Sequence, residues 1–194
     1  MVIYFIIAAL IVLLDQIVKY FVTLHIAPGA TMPLIPGIIR LTYHENTGAA
    51  FSFMSDMRWV LVIVSAIVII ILVAGMIRYK DKINPVGKLA LAAVLGGAVS
   101  HLFDRAVLGY VVDFFEFEFV RFAIFDVADC FITVGGIVFC IWYLLHSAKN
   151  DDLRKEFMFG GRKNAEAGAA KPDEMEKDDT DGIQPEDDGG TDQT

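Results

Sequence analysis

Four long apolar segments, separated by short polar stretches, divide the first 150 residues of the chain. They run over residues 2–24, 59–77, 88–105 and 127–148, and the second holds 19 residues without a charge. About 20 predominantly apolar residues are needed to cross a hydrocarbon core of about 30 Å. The pattern therefore predicts four transmembrane helices and an all-α integral membrane protein.

The first apolar segment has a rival interpretation as a cleaved signal peptide. It lacks a basic region before the apolar run and an A-x-A-like motif after it, and both features are typical of such signals. We therefore expect the segment to be retained as a spanning helix.

Two of the connections contain more than polar turn residues. Residues 37–43, GIIRLTY, are rich in β-branched and aromatic side chains, which favour a short strand. Residues 114–119, FFEFEF, combine aromatic and acidic side chains, and this composition suits the membrane–water interface.

Basic side chains predict the orientation of the chain, because short cytoplasmic loops are enriched in Lys and Arg. They cluster between the second and third segments and again after the fourth: Arg78, Lys80, Lys82, Lys88, Lys149, Arg154, Lys155, Arg162 and Lys163. Both termini are therefore expected to be cytoplasmic, and residues 25–57 and 106–126 to lie on the outer face.

Composition changes this picture only in the C-terminal part. The chain is 56% hydrophobic with a mean hydropathy of +0.56, yet its net charge is −8. Residues 164–194 hold eleven Asp and Glu against two Lys, a balance of −9, so the rest of the chain is close to neutral. We predict a membrane domain over residues 1–150, a basic juxtamembrane segment over 151–163 and an acidic, disordered cytoplasmic tail over 164–194. The charge of the tail is no reason to expect a nucleic-acid partner.

The two cysteines, Cys130 and Cys140, are ten residues apart on one predicted helix, which separates them by roughly 15 Å of helical rise. They cannot bridge each other at that distance. No Cys/His spacing typical of zinc is present in the sequence either. We expect no metal and no cofactor.

Two aspartates stand out because they meet the membrane boundary from different segments. Asp113 lies in the outer connection and Asp129 lies just inside the fourth segment, so both fit one depth. One interpretation is a solvated loop charge and a helix-start acid favoured by the helix dipole. The other is a pair of carboxylates that share a proton, one as acid and one as base, which can hydrolyse a peptide without a metal.

Other polar groups fall near the same depth. Asp15 and Lys19 are four residues apart, so they can pair on one helix face or extend separately toward the helix end. Asn46 lies in HENTGAAFS, a turn-prone run that by itself predicts a loop.

The end of the third segment carries four polar side chains that form either one cluster or only the water boundary: Ser100, His101, Asp104 and Arg105. Glycine pairs at 96–97 and 135–136 favour close helix packing more than anion binding.

Four stretches of the chain, in their order and spacing, resemble the successive signature blocks of lipoprotein signal peptidase, also called signal peptidase II. They are DQIVKYFV (15–22), NTGAAFS (46–52), GGAVSHLFDRAVLGYVVDFFEF (96–117) and FDVADCFITVGG (125–136), within a similarity that extends over residues 1–148. The resemblance implies four transmembrane helices with a small extracytoplasmic β element and a short interfacial helix, to which residues 37–43 and 114–119 would correspond. It also implies an intramembrane aspartyl endopeptidase of the bacterial cytoplasmic (inner) membrane.

The family's catalytic aspartates fall on Asp113 and Asp129. They would hold the attacking water near the outer face and cleave diacylglyceryl-modified prolipoproteins just before the lipidated cysteine. The family's supporting positions fall on Asp15, Lys19, Asn46, Gly97, Arg105 and Ala128. The implied partners are that substrate and membrane lipids, with no nucleic acid, and the chain is expected to act as a monomer.

Two positions depart from the family's pattern. Where the family usually reads G-N-x-x-D-R this chain has His101, and where it usually reads F-N-x-A-D this chain has Asp126. A third carboxylate beside the pair would raise its pKa values, and an imidazolium would offset that effect. We hypothesise that His101 and Asp126 face each other as a bonded pair that replaces two asparagines.

Two other functions remain open from the residues alone. A small proton-coupled membrane transporter or ion pathway would also use intramembrane Asp, Lys and His, although the acids here cluster at one face and no inverted repeat is visible. A structural membrane protein would use its acids only to pair with basic neighbours.

Overall fold

The computed structural model describes residues 1–48 and 58–147, and these contain four long helices. They are α1, Val2–His25; α2, Arg58–Arg78; α3, Pro85–Val107; and α4, Val127–Ser147. All four are long and apolar enough to cross a membrane, which confirms the predicted four-helix membrane fold. The predictions for residues 151–163 and 164–194 lie outside the described residues.

Helix α3 begins three residues before its predicted start because a local capping motif fixes it there. The Asn84 side chain accepts a hydrogen bond of 2.8 Å from the backbone N–H of Gly87, and Pro85 occupies the first turn. Asn at the cap and Pro just inside the helix are both favoured at helix starts.

The centre of the bundle is α3, which packs against the other three helices. Glycines allow two of these contacts. A Cβ on Gly96 would lie 2.8 Å from the carbonyl oxygen of Ala8, and one on Gly135 would lie 2.7 Å from that of Ala90. The prediction of close packing is correct at these positions but wrong at Gly136, where a Cβ would meet nothing within 4 Å.

A three-stranded antiparallel sheet lies at one end of the bundle, in the order β1, Thr31–Ile35; β2, Ile39–Asn46; and β3, Val111–Phe117. The predicted strand at residues 37–43 corresponds to β2. The expected short interfacial helix at residues 114–119 is wrong, because most of that run belongs to β3 and the remainder is not helical. Phe and Glu alternate there with a period of two, and this period places them on opposite faces of a strand.

A small apolar cluster fixes the sheet to the bundle. Val22 and Ile26, from the end of α1, pack with Tyr43 of β2 and with Val112 and Phe114 of β3, and all five are buried. The cluster therefore holds β3, and with it Asp113, beside the helix ends.

Candidate active site

Asp113 is a buried carboxyl in the middle of the polar site, with only 2% of its surface exposed. The side-chain amide of Asn46, on the neighbouring strand, donates a hydrogen bond of 2.8 Å to it. Burial raises the pKa of Asp113 to about 7, and the nearby carboxylates of Asp126 and Asp129 act in the same direction. The Asn46 hydrogen bond and His101 oppose this rise without cancelling it.

Asp129 lies in the first turn of α4 and its side chain is 39% exposed. Its carboxylate accepts from the backbone N–H of Asp126 at 3.3 Å, while Asp126 accepts from the backbone N–H of Asp129 at 2.8 Å. Reciprocal bonds of this kind cap a helix start and satisfy free N–H groups. The cap fixes the direction of both carboxylates.

Lys19 is the centre of a buried ionic cluster. Its ammonium lies 2.7 Å from Asp15, 2.6 Å from Asp104 and 2.6 Å from Asp126, and all three carboxylates are fully buried. The predicted pairing of Asp15 with Lys19 is therefore present in the structure, extended to two further acids. Although burial alone would raise the pKa of Asp126, His101 and Lys19 hold that pKa below its usual range.

Hydrogen bonds complete this cluster through residues of α3 and α4. Ser100 donates to Asp15 at 2.6 Å, and the backbone N–H of Ala128 donates to the other oxygen of Asp15 at 3.0 Å. Gln16 donates to Asp104 at 2.7 Å and to Ser100 at 2.9 Å. Asp15 thus ties the start of α4 to α1.

Sequence reasoning missed Gln16 and offered Asp104 only neighbours on its own helix, whereas the structure pairs it with Lys19 and Gln16 of α1. Gln16 is a polar residue within an apolar helix, next to Asp15 and three residues before Lys19. This position indicates that Gln16 needs hydrogen-bond partners inside the bundle, because an amide that faces a membrane interior cannot bond to water.

Gly97 permits the close contact between α3 and the first turn of α4. A Cβ at this position would lie 2.6 Å from the carbonyl oxygen of Ala128 and 2.6 Å from a side-chain carbon of Ile132. Both distances are shorter than a van der Waals contact. A side chain here would push α4 away from the ionic cluster.

His101 reaches the carboxylates at the start of α4. Its Nε2 lies 3.2 Å from both oxygens of Asp126 and 3.7 Å from one oxygen of Asp129. The two residues that replace the family's usual asparagines are therefore in contact.

Two groups in this region have metal-like spacing, since their ligand atoms lie within 4.8 Å of one another: His101, Asp126 and Asp129, and Asp15, Asp104 and Asp126. In the second group the ammonium of Lys19 already lies within hydrogen-bond distance of every carboxylate. Lys19 therefore supplies the positive charge that a metal would otherwise bring.

Arg105 lies one helical turn after His101 and lines a separate cavity. The cavity has a volume of about 240 Å³ and is bounded by α2, α3 and α4, with His101 and Arg105 at its polar end. The Nε of Arg105 is buried and makes no hydrogen bond to any described residue. Arg58 donates to the backbone carbonyl of Arg105 at 2.7 Å, which fixes the end of α3.

Comparisons with known proteins show the family to which the chain belongs. The chain matches the family model described as signal peptidase (SPase) II over residues 7–145. It is 42% identical over 147 residues to a lipoprotein signal peptidase of Brevibacillus brevis, covering 76% of this chain and 98% of the relative. It is also 42% identical over 135 residues to a lipoprotein signal peptidase of Streptococcus pyogenes serotype M5, covering 69% and 88%.

Two solved structures are similar to the whole described fold. One is a bacterial membrane enzyme determined by the in meso method, with a TM-score of 0.68 and 31% identity over 76% of this chain and 90% of the solved one. The other has the same description, with a TM-score of 0.67, 31% identity, and coverage of 73% and 92%. Four spanning helices, a small sheet and a family match that extends from α1 to α4 lead to one conclusion: the chain belongs to the signal peptidase II family.

Proposed function

We propose that this protein is an intramembrane aspartyl endopeptidase in which Asp113 and Asp129 are the catalytic residues. The observation that carries the proposal is the difference between the two carboxyls. Asp113 is buried with its pKa raised to about 7, whereas Asp129 is partly exposed in the first turn of a helix. Two acids in such different environments favour a state with one protonated and one ionised member.

In the proposed reaction Asp129 is the base and Asp113 the acid. Asp129 takes a proton from a water molecule, whose oxygen then bonds to the carbonyl carbon of the scissile peptide. Asp113 gives its proton to the carbonyl oxygen. The tetrahedral intermediate breaks at the C–N bond as the leaving amine receives a proton from Asp129. Asp113 takes back a proton from a hydroxyl group of the intermediate, so the carboxyl product forms and both aspartates return to their starting states.

The surrounding residues hold this pair in place. Asn46 orients Asp113 through its 2.8 Å hydrogen bond. Lys19 and Asp15 fix the start of α4 through Asp126 and the N–H of Ala128. Gly97 gives α4 the room to approach, and we assign Arg105, at the polar end of its cavity, to substrate binding.

The proposed substrate is a diacylglyceryl-modified prolipoprotein, cleaved just before the lipidated cysteine. Support comes from the relatives described as lipoprotein signal peptidases and from carboxylates that lie at the ends of spanning helices, where a lipid anchor would hold the scissile bond. The distribution of basic residues supports cytoplasmic termini in the bacterial inner membrane and a site near the outer face. We propose that one chain is sufficient, since Asp113 and Asp129 both belong to it.

The test is incubation of a purified diacylglyceryl-modified prolipoprotein with wild type, Asp113→Asn and Asp129→Asn, read by gel and mass spectrometry. We expect wild type to cleave before the lipidated cysteine and both variants to be inactive while remaining folded. Wild-type cleavage that survived in either variant would refute the catalytic pair. No cleavage by wild type, together with proton flux through proteoliposomes, would favour the transporter instead.

A further inference from the structure

One end of the sheet exposes an apolar surface that the bundle does not cover. We call this end the sheet tip and define it as residues 35–38, which are the last residue of β1 and its connection to β2, and residues 118–122, which follow β3. Two hydrogen bonds join its parts, from the N–H of Glu118 to Ile38 at 3.0 Å and from the N–H of Gly37 to the Glu118 carboxylate at 2.7 Å. Its side chains therefore form one surface.

Large apolar side chains dominate the sheet tip. Phe119 is 68% exposed and Phe122 is 61% exposed, and Ile35, Ile38 and Val120 are exposed as well. Burying one such side chain stabilises a structure by about 1.5–3 kcal/mol relative to leaving it in water. A contiguous group of this kind is typical of a surface that meets another apolar phase.

The exposed rings are held in position by the sheet. Phe117 lies 5.4 Å from Phe119 and 5.8 Å from Phe122, and Phe122 lies 5.9 Å from Phe125, measured between ring centroids. These separations are normal for interacting aromatic pairs. The exposed rings of Phe119 and Phe122 therefore form an ordered cluster with Phe117, the last residue of β3.

The connections of β3 place the strand near the ends of α3 and α4. The strand begins four residues after α3 ends at Val107, and further along it Phe115 pairs with Phe125. Phe125 is two residues before α4, a reach of at most ~7 Å. Since α3 and α4 pack together and cross the membrane in succession, the end of α3 and the start of α4 lie at one face, and β3 lies close to both.

The sheet tip follows β3 directly, so it lies near these helix ends, where the headgroups of a bilayer would be. Its exposed charges are the carboxylate of Glu118, which accepts from Gly37, and the guanidinium of Arg121. Arg121 lies between Phe119 and Phe122 in the sequence, is exposed, and forms no ion pair with a described residue. Arg40, in contrast, pairs with Glu116 at 2.5 Å. A groove of about 340 Å³ lies between Arg40, Arg121 and the aromatic side chains, and Glu116 and Glu118 line it as well. Basic and aromatic residues together are typical of the interface between lipid and water.

We propose that the sheet tip is a lipid-binding anchor. Phe119 and Phe122 insert at the boundary between headgroups and acyl chains, and Arg121 binds phospholipid phosphate. This contact keeps the sheet flat on the bilayer and fixes the height of β3, and therefore of Asp113, above the start of α4. The proposal is independent of the peptidase reaction, since it concerns the resting protein in a membrane.

The test places an environment-sensitive nitrobenzoxadiazole label on a single cysteine at Phe122→Cys, in a Cys130→Ala/Cys140→Ala background. The matched control carries the label at Asp81→Cys, an exposed position in the short connection between α2 and α3. Both proteins are reconstituted in phosphatidylcholine–phosphatidylglycerol vesicles, with or without lipids that carry a quencher near the headgroup. Thermal unfolding and prolipoprotein cleavage check the fold, and Val120→Cys replaces Phe122→Cys if that variant does not fold.

We expect the label at 122 to emit at shorter wavelength than the label at 81 and to be quenched severalfold more strongly by the lipid quencher. Equal lipid quenching at both positions, or quenching at 122 by aqueous iodide alone, would overturn the proposal. If the label at 122 responded only after a diacylglyceryl-modified prolipoprotein was added, the sheet tip would be a substrate contact and the lipid anchor would be wrong.

Discussion

Exchanging His101 and Asp126 for asparagine, singly and together, measures the contact that this chain has in place of the family's usual asparagine pair. His101→Asn removes the imidazole whose Nε2 lies 3.2 Å from each of the two Asp126 oxygens. Asp126→Asn leaves that imidazole with Asp129, 3.7 Å away, as its charged neighbour and takes one of three carboxylates from Lys19. The double variant restores two amides that can hydrogen-bond to each other.

The size of the effect follows from the geometry of the pair. Two unit charges 3.2 Å apart at an effective dielectric constant of about 20 attract by about 5 kcal/mol, which is an upper bound. Hydrogen bonds to charged groups are worth about 1.5–3 kcal/mol after solvation is included. We therefore expect each single variant to lose about 2 kcal/mol of transition-state stabilisation, roughly 30-fold in kcat/KM.

Coupling between the positions is the decisive quantity. If the pair acts as a unit, the double variant should also lose roughly 30-fold, whereas independent effects would multiply to roughly 900-fold. The assay is prolipoprotein cleavage in detergent under single-turnover conditions. His146→Asn is the matched control, because His146 bonds to the Trp142 carbonyl near the other end of α4, and its combination with Asp126→Asn should multiply. A loss of roughly 900-fold for His101→Asn/Asp126→Asn would refute the paired role.

Three further predictions concern the surroundings of the pair. Asn46→Ala removes a donor that favours the ionised form of Asp113, so the pKa of Asp113 should rise. The alkaline limb of the pH–rate profile, where Asp113 loses its proton, should then move to higher pH. An unchanged limb would contradict this. Gly97→Ala should lower the unfolding temperature and reduce cleavage by more than tenfold, since overpacking costs about 1–3 kcal/mol. The control is Gly136→Ala, whose added Cβ would meet nothing within 4 Å. It should change neither the unfolding temperature nor cleavage. Lys19→Met leaves buried carboxylates without their cation, which should lower the free energy of unfolding by about 3–5 kcal/mol. Size-exclusion chromatography should therefore recover little folded protein. Normal recovery would show that the carboxyl groups of the cluster are protonated instead.

The sequence by itself determined the four spanning helices and one strand of the sheet. The length of an apolar run is a local property, and a run near 20 residues has few stable alternatives to a helix in a bilayer. It also indicated which groups needed partners, because Asp15, Lys19, Asp113 and Asp129 are costly near a membrane when left alone.

Only the tertiary structure decided which of these groups meet. The sequence paired Lys19 with its neighbour Asp15, but the structure adds Asp104 and Asp126 from two other parts of the chain. The strand β3 was also missed, because an alternating run of Phe and Glu becomes a strand only when β2 is available to pair with it.

The physical reason is the difference between local and long-range contacts. Ala128 donates its N–H to Asp15 across 113 residues of sequence, and that bond depends on α3 letting α4 approach at Gly97. Helix formation depends on residues within a few positions of each other, whereas such a contact depends on which faces of separate helices pack together.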